Sequence, residues 1–290
     1  ERGSDLPWKG APVSALQIPN VMLNDGRQIP QLGAGVFLVE PGETQQVVSD
    51  ALEVGYRHID TARVYDNESE VGRAIEDSGI PRDELFVTTK LWNSDHTRAH
   101  EAFEESLELL GLERVDLFLI HWPQPMYGEA LGAWRALIEI AESGRATSIG
   151  VSNFEIEDLR QLIDETGVVP AVNQIELHPF HQRRELSEYC AELGIAVESW
   201  GPLAQGKSNL LELPQVVQVA EAHGKTPAQA VLRWHIQQGR IIFPKTLRRE
   251  RMIENANIFD FVLTSEEMAV FDALDEQRNF GSDPRTFDLR

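Results

Sequence analysis

The chain of 290 residues carries a net charge of −21, contains one cysteine and is long enough to bury a sizeable core. Nucleic acid and anionic membrane surfaces are disfavoured as partners because their charge would repel this chain at long range. No run approaches the roughly 18 consecutive apolar residues of a membrane-spanning helix, and the first residues contain no apolar stretch typical of a signal peptide. Cys190 has no second cysteine to pair with and is expected to be buried, so the sequence predicts a cytoplasmic protein.

The first residues are expected to lie outside the folded domain. Residues 1–4 resemble a cloning remnant, and residues 5–14 contain the proline and glycine typical of a loosely attached extension. In residues 17–31, an apolar run, the turn Asn24-Asp25-Gly26 and a short return segment predict a β-hairpin. We therefore predict an extension over residues 1–14 and a single domain over residues 15–290.

Beyond the hairpin, strand-like and helix-like segments alternate along the chain. Eight β-favouring apolar runs predict strands at residues 32–37, 56–59, 85–89, 115–120, 147–151, 171–174, 195–199 and 240–243. Helical periodicity follows, beyond Gly42 and at residues 99–110, 131–142, 156–165, 184–193 and 227–238. Eight such units favour an α/β fold closed into a (β/α)8 TIM barrel, with the hairpin covering its bottom. An open, doubly wound sheet is the alternative.

Polar side chains stand where three consecutive predicted strands end. These residues are Asp60, Lys90 and His121, and Tyr65 lies in the loop that follows Asp60. Taken singly, each has an ordinary explanation: a capped turn, a lysine reaching solvent or a core histidine. Because the carboxyl ends of barrel strands converge on one face, the four together predict a polar cluster at the barrel mouth.

The chemistry of this cluster suggests proton donation. A tyrosine has an ordinary pKa of about 10, and a neighbouring ammonium such as Lys90 would lower the pKa of Tyr65 by favouring the phenolate. Asp60 would hold the ammonium in place, and His121 could orient a carbonyl oxygen. Such a site protonates oxygen while a cofactor delivers hydride to carbon. A lyase that forms a Schiff base on Lys90 and a non-catalytic redox-sensing module are the alternatives.

A basic segment, residues 244–251 (PKTLRRER), predicts a phosphate site. It places four cations at the beginning of a helix, where they oppose the helix dipole and so do not stabilise the helix. Cations and helix N–H groups together bind phosphate. The alternative is a solvated basic face paired with Glu250 and Glu254. The glycine pattern at residues 33–38 is too incomplete to predict a Rossmann site.

Residues after the fifth to seventh strands could contact a nicotinamide cofactor. Ser152, Asn153 and Gln174 carry groups that suit a carboxamide, and Trp200 offers a flat face for the ring. The following loop could fold over a pyrophosphate and comprises Gly201, Pro202, Leu203, Ala204 and Gln205. Taken singly, these candidate cofactor contacts are better explained by ordinary turn chemistry. A substrate pocket would be walled by Phe37, Trp92 and Trp122, for which core packing is the alternative. Histidines and carboxylates do not occur at a convincing metal-ligand spacing, so we predict no metal site.

Residues 55–72, GYRHIDTARVYDNESEVG, resemble the first signature of the aldo-keto reductases. The similarity extends from about Ile18 to about Leu274, and within that family it is strongest to the bacterial 2,5-diketo-D-gluconic acid reductases. The resemblance implies a TIM barrel that reduces aldehydes or ketones, keto sugars among them, with NADPH (NADP+) as cofactor. We expect a monomer whose partner is a small carbonyl compound. The tail after Leu274 departs from the family pattern, so the resemblance does not identify the substrate.

The same resemblance implies residue roles. Tyr65 corresponds to the proton donor, Asp60 and Lys90 to the pair that tunes its pKa, and His121 to the residue that orients the carbonyl. The cofactor's 2′-phosphate and adenine would be contacted by Lys245, Thr246, Leu247, Arg248, Arg251, Glu254 and Asn255. Thr246 stands where serine is common in the family, and its hydroxyl preserves the hydrogen-bonding group.

Overall fold

An antiparallel hairpin precedes the main sheet in the computed structural model, which describes residues 16–290. Strand β1 (Asn20–Met22) pairs with β2 (Gln28–Pro30). Gly26 in the connecting turn has a φ of 82°, a value that glycine adopts without strain. The predicted hairpin is confirmed, whereas the predicted extension over residues 1–14 lies outside the described residues.

Eight parallel strands follow, hydrogen-bonded to one another in chain order. They are β3 (Ala34–Gly35), β4 (His58–Asp60), β5 (Phe86–Leu91), β6 (Val115–Ile120), β7 (Ala146–Ser152), β8 (Val172–Glu176), β9 (Ala196–Trp200) and β10 (Ile241–Ile242). A parallel bridge between Leu32 and Ile242 joins the first edge to the last. There the Gly33 N–H donates to the Ile242 carbonyl over 3.0 Å, and the Ile242 N–H donates to the Gln31 carbonyl over 3.0 Å. The predicted barrel is confirmed, and the open sheet is excluded.

Helices pack around this ring of strands. They are α1 (Pro41–Val54), α2 (Glu68–Ser78), α3 (Ala99–Leu110), α4 (Ala130–Glu142), α5 (Ile156–Thr166), α6 (Arg184–Glu192), α7 (Pro214–Ala222), α8 (Pro227–Gln237), α9 (Arg249–Ala256) and α10 (Ser265–Asp272). α3 and β6 have the predicted bounds. β5 and β8 extend further than predicted, so Lys90 and Gln174 lie within strands and not at their ends. Cys190 in α6 is buried, as predicted.

The barrel interior has an apolar lower part and a polar upper part. In the lower part, Leu23 and Ile29 of the hairpin pack against Leu117, Leu119 and Ile241 of the strands. The hairpin thus closes the barrel bottom, as predicted. Burying an apolar side chain of this size stabilises the fold by about 1.5–3 kcal/mol. The upper part contains the buried polar side chains of Asp60, Lys90, Gln174 and Glu198.

The signature segment joins β4 to α2 through a short 3-10 turn. Asn67 stands at the N-cap position of α2 but makes no side-chain capping bond. Its side-chain amide instead donates to the carbonyls of Val36 and Val39 over 3.1 and 3.2 Å, and its carbonyl accepts from the Thr61 hydroxyl over 3.1 Å. At Gly72, an added Cβ would lie 2.2 Å from a backbone oxygen of α3. The motif's spacing therefore fixes how the loop carrying Tyr65 leaves the barrel.

Candidate active site

The structure brings together four side chains, Asp60, Tyr65, Lys90 and His121, which we refer to as the Tyr65 cluster. Lys90 Nζ donates to Asp60 Oδ1 over 2.7 Å and to the Thr61 carbonyl over 2.9 Å. The same Nζ lies 3.4 Å from the Tyr65 hydroxyl oxygen. All of the Lys90 side chain is buried, so these contacts hold the ammonium at a fixed point.

The Tyr65 ring is positioned by the loop and by neighbouring aromatic rings. A 3-10 turn at Arg63–Tyr65 follows β4, with the Tyr65 N–H donating to the Ala62 carbonyl over 3.0 Å. The ring centroid of Tyr65 lies 5.1 Å from that of Phe37 and 5.7 Å from that of His121. These edge and tilted contacts restrict the ring and keep its hydroxyl beside Lys90.

The charges of this cluster follow from burial opposed by ion pairing. Burial raises the pKa of Tyr65, and the nearby Lys90 ammonium lowers it only in part, so the net direction is upward. The predicted net lowering is therefore wrong, although the contribution of Lys90 has the predicted sign. For Lys90, burial lowers the pKa, but Asp60 and, when they are ionised, Tyr65 and Glu198 raise it above its ordinary value. Near neutral pH the site thus holds a neutral phenol beside an ammonium.

His121 presents a neutral imidazole. Burial, assisted by the Lys90 charge, holds the pKa of His121 well below its ordinary value. Its Nδ1 is buried and has no hydrogen-bond partner among residues 16–290. A neutral imidazole offers one N–H donor and one acceptor, so this ring is available to hydrogen-bond a small polar ligand.

The three predicted pocket aromatics surround this cluster, and a fourth joins them. Phe37 is 54% exposed, the Trp92 ring centroid lies 5.3 Å from that of His121, and Trp122 is buried. Phe287, from the C-terminal segment, lies 4.3 Å from Trp122 between ring centroids. Sequence reasoning missed Phe287; an aromatic residue in an otherwise polar tail was the available signal.

The C-terminal segment is attached to the rim of the barrel mouth. The Leu289 carbonyl accepts from Asn93 Nδ2 over 2.7 Å and from Gln124 Nε2 over 3.1 Å. The Arg290 guanidinium lies 3.6 Å from the centroid of the Tyr127 ring and forms an ion pair with a nearby glutamate. These contacts hold Phe287 in the pocket wall.

Ser152 and Asn153, predicted to contact a carboxamide, also hold neighbouring strand ends. The Ser152 hydroxyl donates to the Gln174 carbonyl over 2.8 Å. Asn153 Nδ2 donates to the His121 carbonyl over 2.9 Å, and Asn153 Oδ1 accepts from the Trp200 indole N–H over 2.9 Å. Asn153 therefore fixes both the backbone of His121 and the flat ring predicted to stack on the nicotinamide.

Gln174 connects two buried carboxylates. Its Nε2 donates to Asp60 Oδ2 over 2.9 Å and to Glu198 Oε2 over 2.7 Å. Both amide hydrogens are used within the protein, which leaves Oε1 of Gln174 as the group available to a ligand. Sequence reasoning missed Glu198, although strand alternation places it on the same face as Trp200, two residues later.

The loop after β9 has an unusual backbone. Gly201, Ala204 and Gln205 have φ values of 63°, 56° and 53°, and the Ala204 N–H donates to the Gly201 carbonyl over 2.8 Å. The Pro202 carbonyl lies 3.1 Å from His235 Nε2. Left-handed conformations at two non-glycine residues are uncommon, so the surrounding structure determines the shape of this loop, which also contains Leu203.

The basic segment is exposed, and its cations differ in their partners. Arg249 forms ion pairs with Glu53 at 2.7 Å and Asp50 at 3.6 Å, whereas neither Arg248 nor Arg251 forms an ion pair within residues 16–290. The alternative, in which these arginines pair with Glu250 and Glu254, is therefore wrong. Of the residues that the structure describes, none caps the N-terminus of α9 with its side chain. The segment retains unpaired positive charge at a helix N-terminus.

The remaining predicted residues of this region lie around the same helix end. Lys245 Nζ donates to the Leu38 carbonyl over 2.8 Å, and Thr246 Oγ1 accepts from the Arg248 N–H over 3.1 Å. Leu247 is exposed and Asn255 is buried. Glu254 accepts from the Thr226 hydroxyl over 2.7 Å. Within residues 16–290 no group of three or more His, Cys, Asp or Glu could hold a metal, and no helix there could cross a membrane.

Comparison with known proteins decides the family. A model of the Aldo/keto reductase family matches residues 31–276. The chain belongs to the aldo/keto reductase family. The family predicted from residues 55–72 is therefore confirmed.

Individual aldo-keto reductases match almost the whole chain. A curated aldo-keto reductase of Mycolicibacterium smegmatis is 49% identical over 273 residues, covering 93% of this chain and 98% of that protein. The methylglyoxal reductase DkgA of Yersinia pestis is 49% identical over 269 residues, covering 93% and 97%. The crystal structure of a Gox0644 mutant in complex with NADPH has a TM-score of 0.90 at 44% identity and covers 94% and 100%.

Proposed function

We propose that this aldo-keto reductase uses NADPH to reduce aldehydes and ketones to alcohols, with Tyr65 as the proton donor. The observation that carries the proposal is the contact between the Tyr65 hydroxyl and the buried, ion-paired Lys90 ammonium. The imidazole of His121, whose Nδ1 has no hydrogen-bond partner in the described part of the chain, lies against the same tyrosine ring.

The residues present fit a nicotinamide dinucleotide phosphate. Arg248 and Arg251 have no ion-pair partner among residues 16–290, and Lys245 belongs to the same segment, so a phosphate would supply the missing negative charge. Trp200 is partly exposed at a strand end beside Asn153, as a ring-stacking platform would be. NADPH, when bound, supplies the hydride. The NADPH complex of the related Gox0644 mutant supports this cofactor.

The mechanism we propose uses the side chains as they stand. His121 donates a hydrogen bond to the substrate carbonyl oxygen and orients it. Tyr65 then transfers its hydroxyl proton to that oxygen, and Lys90 stabilises the phenolate that results. Asp60 keeps Lys90 in place and charged. The rings of Phe37, Trp92, Trp122 and Phe287 exclude water from the reacting atoms.

The cofactor contacts we propose are those of the sequence analysis. Ser152, Asn153 and Gln174 would hold the carboxamide, and Trp200 would offer its face to the nicotinamide ring. Residues 201–205 would contact the pyrophosphate, and the basic segment with Glu254 and Asn255 would contact the 2′-phosphate and adenine. The shaped loop backbone and the unpaired cations support this placement. We propose further that the protein acts as a monomer, which size-exclusion chromatography with light scattering would test.

A Schiff-base mechanism at Lys90 is less consistent with the geometry. An amine nucleophile must lose its proton, and burial beside another cation favours that loss. Here the pKa of Lys90 is raised because, although burial lowers it, Asp60 and Tyr65 outweigh that effect. The same lysine is held by three oxygen atoms and has no freedom to attack a carbonyl.

NADPH absorbance during incubation with a panel of carbonyl compounds tests the proposal. The panel should include methylglyoxal, because related proteins carry that activity in their names, together with keto sugars and simple aldehydes. We expect turnover with at least one small carbonyl compound. Borohydride trapping of a covalent adduct at Lys90, without NADPH oxidation, would show that the protein is a lyase instead.

A further inference from the structure

A second carboxylate lies beside the catalytic ion pair, in the barrel interior. Glu198 in β9 is 0% exposed. Its Oε2 accepts from Gln174 Nε2 over 2.7 Å, and that same nitrogen donates to Asp60 Oδ2 over 2.9 Å. Its Oε1 is buried without a hydrogen-bond partner among residues 16–290. One amide thus joins two carboxylates, of which only Asp60 has an ion-pair partner in that range.

An ionised carboxylate is unfavourable in the barrel interior when one of its oxygens accepts no hydrogen bond. Burial, assisted by the Asp60 charge, raises the pKa of Glu198 to about 8 against the opposing effects of Gln174 and Lys90. The charged groups facing it are Asp60 on β4 and Lys90 on β5. His58, also on β4, is neutral because burial lowers its pKa to about 4, and the register partner on β10, Ile241, is uncharged. Glu198 therefore holds a proton at neutral pH and loses it in weakly alkaline solution.

We propose that Glu198 is a positioning residue whose charge controls proton donation by Tyr65. When Glu198 is protonated, Lys90 interacts fully with Asp60 and Tyr65. When Glu198 is ionised, its negative charge also acts on Lys90 and slows proton donation by Tyr65. The inference rests on the proposed reductase activity. When Tyr65 gives its proton to the substrate oxygen, the O–H bond breaks and a phenolate forms beside Lys90. A second negative charge near Lys90 disfavours that phenolate. Glu198 exchanges its own proton with solvent and is not consumed.

The variant Glu198→Gln removes the ionisable group at this position and keeps the shape of the side chain. Glutamine has nearly the same volume, cannot ionise and still offers an oxygen to the Gln174 amide. The rate to follow is that of a single turnover at saturating NADPH, because product release can otherwise hide the chemical step. In the wild type we expect this rate to fall about fivefold or more between about pH 7 and pH 9.5. In Glu198→Gln we expect the fall to disappear, with rates near neutral pH within about threefold of the wild type.

Glu68→Gln is the matched control. Glu68 is also a buried glutamate whose pKa is raised by burial, but it is hydrogen-bonded to Thr89 and Ser106 and lies outside the barrel interior. Its variant should keep the wild-type fall in rate. Equal alkaline profiles in wild type and Glu198→Gln would overturn the proposal, as would a uniform loss of activity with the fall retained.

Two further measurements do not depend on turnover. A folded-state pKa raised above the unfolded value stabilises the fold fully below the unfolded pKa, and this stability is lost as the pH rises through about 8. Denaturant unfolding should therefore show Glu198→Gln gaining stability relative to the wild type between about pH 5 and pH 8. If the free energy of unfolding changed with pH in the same way in the wild type and in Glu198→Gln, the proposal would be contradicted.

The second measurement needs no variant, and so remains available if Glu198→Gln does not fold. The infrared carboxylic-acid band of the wild type should contain a component that disappears near pH 8. Its absence would refute the role of Glu198 alone. The lack of any carbonyl reduction at any pH would instead refute the proposed function.

Discussion

The Tyr65 cluster and the basic segment both belong to the proposed site, one for the reaction and one for the cofactor, yet their side chains are held differently. Lys90 is buried and contacts three oxygen atoms of the protein, whereas Arg248 and Arg251 are exposed and have no ion pair within residues 16–290. The first region has its charges arranged before any ligand arrives. The second keeps unpaired charge that a ligand can satisfy. In the function we propose, chemistry thus relies on preorganisation, and cofactor recognition relies on charge left unpaired.

Replacing Tyr65 with phenylalanine should have the largest effect and tests the preorganised region directly. We expect turnover to fall about 10²–10⁴-fold, because general acid catalysis contributes that much. NADPH affinity should stay within a few-fold of the wild type, since the hydroxyl contacts only the reacting oxygen in our mechanism. Steady-state kinetics and fluorescence titration of NADPH measure the two quantities. If most of the turnover remains, the assignment of Tyr65 as proton donor is wrong.

Lys90→Met should lower turnover about 10²-fold and change the pH–rate profile, because the phenolate of Tyr65 loses its stabilising charge. It should also destabilise the fold by about 3–5 kcal/mol, since the Asp60 carboxylate would be buried without its ion-pair partner. Adding Asp60→Asn should restore much of the stability and none of the turnover. An unchanged pH–rate profile in Lys90→Met would refute the role of the ammonium.

Arg251→Ala tests whether the unpaired charge serves the cofactor's phosphate. A charge-assisted hydrogen bond contributes about 1.5–3 kcal/mol, so NADPH affinity should fall roughly 10- to 150-fold. NADH affinity should hardly change. Fluorescence titration of both cofactors measures the difference.

Arg249→Ala is the matched control for that comparison. Arg249 lies in the same segment but is already paired with Glu53 and Asp50, so its loss should leave the NADPH preference nearly intact. Added salt should also reduce the preference of the wild type for NADPH over NADH, but by less than Arg251→Ala does. Equal losses of NADH and NADPH affinity in Arg251→Ala would mean that the basic segment is structural.

Phe287→Ala should have the smallest effect and asks whether preorganisation extends to the pocket wall. Phe287 packs on Trp122 but is only partly buried. We expect KM for small carbonyl compounds to rise about three- to tenfold with kcat nearly unchanged, because the ring contributes binding and not proton transfer. Kinetics with two substrates of different size measure this. A large fall in kcat with constant KM would instead place Phe287 in the positioning of Tyr65.

The barrel and most of the Tyr65 cluster could be predicted from local sequence patterns. Strand ends in a parallel barrel converge whatever their loops do, so Asp60, Lys90 and His121 could be placed together without knowing any contact. The net pKa of Tyr65 could not be predicted, because it is a balance between burial and the Lys90 charge. Only the folded structure sets the size of each contribution.

Contacts between distant elements account for the other omissions. The partners of Arg249 belong to α1, almost two hundred residues earlier in the chain, and no periodicity connects them. Glu198 is a single acid in an apolar strand, and nothing in that strand reveals that Gln174 and Asp60 face it. Phe287 belongs to a segment without regular structure, where side-chain direction cannot be derived from spacing.

The bridge that closes the barrel has a consequence for how the chain folds. Leu32 and Ile242 are 210 positions apart, the difference of their residue numbers, and they join the first edge of the sheet to the last. Closing so long a loop carries a large entropic cost and makes a contact of high sequence separation. During synthesis, the strand edge at Leu32 has no partner until about five-sixths of the chain has left the ribosome. The hairpin and the first strand therefore have an edge without a strand partner during nearly the whole of translation.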